Sequence, residues 1–216
     1  MRKLLNKAKE HPESTIEIKP EPNEETEKAY REQLAEDAKL RPGEIISCDD
    51  VPVSLVSLDG FDTFFIFRDT KTRTLFTFTT TDKGEDTYLL CLIDVRAYFV
   101  QKYRMNPDWG VQPVMTVRSD YMKTYDSKKV RKFYKDNDCT CQFSSPYQHW
   151  QNAVERDVQT VIHNMSAVLH TNEFVTVMMW SFALRHFTRL FNDTPLSSSG
   201  YLSPNQMCNQ NHYVDA

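Results

Sequence analysis

Two runs of β-branched and aromatic residues, GFDTFFIFRD (Gly60–Asp69) and TRTLFTFTTT (Thr72–Thr81), share the polar turn RDTKTR. Such residues favour a pleated, half-buried surface, and the polar turn between them predicts a β-hairpin. The short apolar run EIISCDDV precedes the hairpin and reads as a further strand ending in acids. A helix follows over DKGEDTYLLCLIDVRAYFVQKYRM, with Leu89, Leu92, Ile93, Tyr98 and Phe99 as its apolar positions and Asp82 as its cap. GVQPVMTVRSD predicts a loop and a strand ending at Asp120. SKKVRKFYKDND predicts a short basic amphipathic helix, and CTCQFSS a short strand. In SSPYQHWQNAVERDVQTVIHNM a Ser-Pro loop leads into a periodic helix. Val154, Val158, Val161, Met165 and Val168 mark its core face. The run TNEFVTVMMWSFALRHFTRLFND reads as a last, mostly apolar helix. The order β-β-β-α-β-α-β-α-α predicts an α/β fold, a mixed sheet with helices on its faces.

The 216 residues are 40% hydrophobic, enough for one substantial domain. Residues 1–42 are rich in Glu, Lys and Pro and read as a charged segment, largely disordered or helical. The expected core spans 43–195, and 196–216 reads as a loop-like tail. No stretch of 18 apolar residues and no apolar leader is present, so neither a membrane span nor secretion is expected. The five cysteines, Cys48, Cys91, Cys139, Cys141 and Cys208, are odd in number and scattered, which predicts free thiols in a reducing, intracellular compartment. Cys139 and Cys141 read as strand residues rather than zinc ligands. A net charge of −4 excludes a global polycation, so any nucleic-acid contact must come from a local patch.

Three carboxylates stand at structurally distinct places. Asp49 or Asp50 ends the first strand, Asp120 the fourth, and Glu155 opens a helix. Acids at the ends of neighbouring strands converge at one sheet edge, and a helix packed there can bring a third. Hard oxygen ligands of this kind suit magnesium or manganese. Two such ions about 3.5–4 Å apart can activate a water or hydroxyl and stabilise the leaving oxygen in phosphoryl transfer. The bland alternative is that these are turn acids and a Glu complementing a helix dipole.

The order GEIISCDD, FFIFRDTKTRTLFTF, VMTVRSD and SSPYQHWQNAVER resembles the integrase catalytic core of copia-type LTR retrotransposons, in the retroviral-integrase-like DDE superfamily. The resemblance covers about 43–195 and is most specific at Pro146, Tyr147, Gln151, Asn152, Val154, Glu155 and Arg156. It implies an RNase H-like fold: a five-stranded mixed sheet, with a three-strand antiparallel meander plus parallel strands, flanked by helices. It implies Asp49, Asp120 and Glu155 as catalytic residues and ligands of two Mg2+ or Mn2+ ions, with Asp50 competing for the first place. The activity implied is DNA 3′-end processing and strand transfer, on element ends and target DNA, in the nucleus. Asp69 matches an acid on the family's second strand and is read as structural. The chain departs from the pattern in two ways. Between Asp120 and Glu155 lie 34 residues, one fewer than usual. After Asp120 stands YMKTY in place of an Asn-Gly turn, which shapes the active-site edge in the family. These departures motivate an alternative: a domesticated or inactive relic that binds DNA or protein without catalysis. An RNase H-like nuclease acting on RNA–DNA hybrids is a third reading, which the Pro-Tyr and Gln-Asn-x-Val-Glu-Arg text argues against.

Beside Glu155, the side chains of Asn152, Arg156 and Gln159 are candidates for DNA contact, Arg156 on a phosphate. The basic stretch with Lys123, Lys128, Lys129, Arg131, Lys132 and Lys135 could track a phosphate backbone or be a solvated helix face. His149 and Trp150 precede Glu155, and the Trp reads as a core cap rather than a base-stacking platform. His163, His170 and His186 read as packing or surface residues. The Met/Phe-rich last helix reads as core, with homo-oligomer formation a weaker expectation.

Overall fold

The computed structural model describes residues 28, 32, 35–120, 124–143, 153–170 and 176–209. The hairpin read from sequence is present as β2 (Thr63–Asp69) and β3 (Leu75–Thr80), and β1 (Ile45–Pro52) pairs antiparallel with β2. After the long helix α1 (Glu85–Met105), β4 (Thr116–Ser119) returns parallel to β1. The short helix α2 (Lys128–Asp136) then leads to β5 (Thr140–Phe143), parallel to β4. The sheet order is β3-β2-β1-β4-β5. Helices α3 (Ala153–His170), α4 (Trp180–Asp193) and α5 (Pro204–Met207) follow. The meander, the two parallel additions and the alternating helices are those the sequence predicts.

The pleat sorts the apolar residues into two cores. On one face Ile46, Cys48, Phe65, Phe67 and Val117 meet Tyr88, Leu92, Val95 and Phe99 of α1 with Val130 and Tyr134 of α2. On the other, Phe64, Ile66 and Leu75 meet Val154, Val161, Met165 and Leu169 of α3 with Trp180, Ala183 and Leu184 of α4. All five cysteines are free thiols.

Several boundaries differ from the sequence reading. Asp82 does not cap α1; Gly84 does, while the Asp82 carboxylate accepts the Gly84 N–H and, at 2.8 Å, the Thr87 hydroxyl. Val168 turns outward at 36% exposure, and Leu169 takes the core position instead. On a 3.6-residue repeat Val168 and Leu169 flank the face of Val154, Val161 and Met165 from opposite sides, about 40° and 60° from Val154, so packing and not periodicity decides between them. Ile93 is exposed on α1. The last long helix starts only at Trp180, after a 3₁₀ turn at Val177–Met179. The described part of the C-terminal segment, read as loop-like, carries α5 with a capping box between Ser203 and Gln206. It ends on the fully buried Cys208, whose thiol lies 3.4 Å from the Thr74 hydroxyl. Cys208 and its partner Thr74 lie 134 residues apart in sequence, which is why local text does not reveal the contact.

Gly43 shows how β1 is started. Its φ is +81°, and an added Cβ would lie 2.6 Å from the Phe99 ring. Its N–H donates to Asp69 Oδ1 at 2.8 Å. Gly43→Ala is expected to lower stability by about 2–4 kcal/mol, through a left-handed backbone and a clash with core backbone-adjacent ring atoms. Urea unfolding checks this; an unchanged midpoint with unchanged slope would contradict it.

Candidate active site

Strand alternation decides which of the two adjacent acids faces which core. Asp49 is paired with Ile66, on the α3 side, and Asp50 with Phe65, on the α1 side. The Asp50 side chain is only 5% exposed, paired with the Lys83 ammonium and accepting the Tyr125 hydroxyl at 2.9 Å. Asp49 stays on the opposite face, half-buried, with Oδ1 accepting the Asp50 N–H at 2.8 Å. β4 runs beside β1 with Ser47 level with Arg118. Asp49 lies inside β1, which runs on to Pro52, so neither Asp49 nor Asp50 ends the first strand as the sequence suggests. Asp120 stands just past the end of β4, and both acids lie just beyond the carboxyl end of the β1–β4 pairing. In open sheets of this kind that is where ligands bind. Asp120 is exposed.

The start of α3 is fixed by two anchors. Val154 is fully buried against the sheet, and Asp157 pairs with Arg68 of β2 at 2.9 Å. Glu155, exposed, stands between them. Arg68 shares the strand face of Phe64 and Ile66, so its charge is carried into the α3 interface. Burial pushes the Asp157 carboxyl up and the Arg68 guanidinium down, and each charge offsets part of that shift in the other. Such a pair fixes geometry more than it adds stability.

The Asp49 carboxyl is pushed up to about 6, first by burial, then by the negative charges of Asp50, Asp120 and Glu155, against the Asp50 N–H. The three acids singled out from sequence therefore share one electrostatic neighbourhood, though they come from β1, the end of β4 and α3. Among the described residues no three His, Cys, Asp or Glu side chains close to the spacing that holds a metal ion.

Arg156 and Gln159 are exposed on α3 close to Glu155. Asn152, with His149, Trp150, Pro146, Tyr147 and Gln151, lies outside the described residues, as does Lys123. Lys128 is exposed at the start of α2. The basic stretch is partly neutralised: Lys129 pairs with Glu85 and Asp86, Arg131 with Asp126 and Lys132 with Asp136. His163, His170 and His186 are exposed. Sequence reading missed Arg68, Asp157, Lys83 and Tyr125. For Arg68 a signal existed: a charged residue in register with the buried Phe64 and Ile66.

The chain matches no protein-family model, and no curated protein matches it. Solved structures do match. The HTLV-2 integrase catalytic core domain in complex with magnesium, in its dimeric form, aligns with a TM-score of 0.57 and 10% identity, over 78% of this chain and 97% of that one. The fold is that of the retroviral integrase catalytic core. The BIV integrase core domain aligns at TM-score 0.53 and 13% identity, over 79% and 97% of the two chains. An integrase-core match also comes from the simian T-cell lymphotropic virus intasome in complex with the PP2A regulatory subunit B56 gamma. There the TM-score is 0.62 and the identity 13%, and the match covers 78% of this chain and 55% of that one. At these identities the likeness is one of fold. The integrase-core fold is RNase H-like, with the strand order 3-2-1-4-5 found here.

Proposed function

We propose that this chain is a divalent-metal-dependent DNA-cutting and strand-transfer core of copia-type retrotransposon origin, with Asp49, Asp120 and Glu155 as its metal-holding acids. The observation that carries the reading is the Asp49 carboxyl, turned to the α3 face and raised first by burial and then by the charges of Asp50, Asp120 and Glu155. An all-carboxylate donor set suits Mg2+ or Mn2+, and a cation would relieve the mutual repulsion of the acids. Bound there, such ions supply an activated water or hydroxyl and stabilisation of the leaving oxygen. The protein's own part is positional. Val154 and the Arg68–Asp157 pair hold the α3 start, the Asp50 N–H holds Asp49, and Arg156 is placed to take a phosphate. In the first step a water oxygen joins phosphorus, and the 3′ oxygen leaves as a hydroxyl. In the second the oxygen of that hydroxyl joins the phosphorus of a target phosphodiester and gives up its proton, and the target strand's 3′ oxygen leaves as a hydroxyl. Chromosomal target DNA would place this work in the nucleus, and a homo-oligomer would bring two DNA ends together. Among the described residues no helix is long and apolar enough to cross a membrane.

A second reading, a relic that binds DNA without cutting it, is favoured by one observation: the acids sense one another yet do not close to a metal-holding group. Manganese-dependent nicking of a short duplex separates the two. The first reading expects nicking by wild type and at least a hundredfold less by Glu155→Gln at equal folded content. DNA binding with no nicking in either protein favours the relic.

A further inference from the structure

The stretch after Asp120 that lacks the Asn-Gly turn is YMKTY, and its last residue is Tyr125. Tyr125 is almost completely buried and packs on Tyr88, with ring centroids 4.5 Å apart. Its hydroxyl donates to Asp50 Oδ1 at 2.9 Å. The other carboxylate oxygen, Oδ2, takes the ammonium of Lys83, which lies just before α1 and is 34% exposed. Asp50 is thus held from two directions on the α1 face. Its own backbone N–H, on the other side of the same residue, donates to Asp49 Oδ1 at 2.8 Å. A strand side chain with both oxygens occupied fixes its peptide plane, and that plane carries the N–H that aims Asp49.

We propose that Tyr125 and Lys83 form a clamp on Asp50 that acts through the strand, orienting the Asp49 carboxylate and tying it to the chain segment that follows Asp120. Tyr125, Lys83 and Asp50 are positioning residues; none meets substrate. The inference rests on the reading of Asp49 as a metal-holding acid, and it deepens that reading by naming what holds Asp49 in place.

Two measurements on the full chain test it. The first is amide hydrogen exchange at Asp50 in folded Tyr125→Phe, which removes one hydroxyl and keeps the ring against Tyr88, and in Lys83→Met. The clamp expects exchange at Asp50 to quicken about tenfold while amides of β2 and β3 keep their wild-type protection. The second is manganese binding, followed by the electron paramagnetic resonance of the free ion. The clamp expects the dissociation constant to rise about tenfold in each variant, with nicking recovered at saturating manganese. A purely structural role would quicken exchange across the whole sheet, β2 and β3 included, and lower activity equally at all manganese concentrations. Unchanged Asp50 exchange in the folded variants overturns the clamp. Wild type that binds no manganese overturns the metal-site reading instead, whatever the exchange data show, so the two can fail separately.

Discussion

Asp49→Asn should make the protein more stable and catalytically dead at once. The folded-state carboxyl sits at about 6, above its ordinary 3.8, because burial and three neighbouring acids disfavour its charge. A carboxyl raised in the folded state binds its proton more tightly there than in the unfolded chain. Its favourable contribution is complete below pH 3.8 and is lost as the pH rises through 6. At pH 7.5 wild type therefore carries a penalty that the neutral amide does not, about 1–2 kcal/mol after allowing for partial solvent contact. The stability gap between Asp49→Asn and wild type should be near zero at pH 4 and widen toward pH 7.5, as read by urea unfolding at each pH. Metal-dependent nicking should fall about a thousandfold or more. A variant less stable than wild type at pH 7.5 would show that Asp49 is held by favourable partners, and would remove the main support for a cation site.

Asp69 carries a shift of the same size and should respond in the opposite sense. It is fully buried, and burial pushes it up to about 6 against its hydrogen bonds. Those bonds use both oxygens: Oδ1 accepts the Gly43 N–H at 2.8 Å, and Oδ2 accepts the Thr72 N–H and hydroxyl, each at 2.7 Å. An amide has one oxygen. In either flip of Asp69→Asn, an NH2 group faces a buried backbone N–H, at Gly43 or at Thr72. Leaving a buried donor unpaired costs about 1–3 kcal/mol, and here the opposed donors repel as well. Relief of the ionisation penalty is smaller than this, because the surrounding donors all favour a carboxylate. A net loss of about 2–3 kcal/mol is expected at pH 7.5. The damage should reach the C-terminal segment, since Thr72 bonds Thr74 at 2.7 Å and Thr74 lies against Cys208. Equal unfolding midpoints for Asp69→Asn and wild type would count against this network as the tie between the first strand and the last helix.

The contrast explains what the sequence makes legible. The continuous apolar run Phe64–Phe67 and the short apolar run EIIS announce the strands, and the acids that follow it mark where the site lies. The resemblance of Asp120 and Glu155 to a known pattern names the other two acids. The choice between Asp49 and Asp50 stays open at that level, because both follow the same apolar run. It turns on which sheet face receives α3 and which receives α1, a tertiary fact. The capping role given to Asp82 goes to Gly84 because the acid is already occupied by Thr87 and the Gly84 N–H. Tyr125 and Lys83 are invisible for a similar reason: each lies far in sequence from the Asp50 it holds, by 75 and 33 residues. The burial of Cys208 has a local signal only in the Ser203–Gln206 capping box, which announces a helix but not what it covers.

The central claim is that Asp49, Asp120 and Glu155 act together on DNA through a divalent ion. The most direct measurement is manganese-dependent nicking and strand transfer on a short duplex, with wild type beside Glu155→Gln. Glu155 is exposed and lies between the Val154 and Asp157 anchors, so the variant should fold as wild type does. The account predicts activity in wild type and its loss in Glu155→Gln, with equal unfolding midpoints. A folded Glu155→Gln protein that nicks DNA as well as wild type would contradict it.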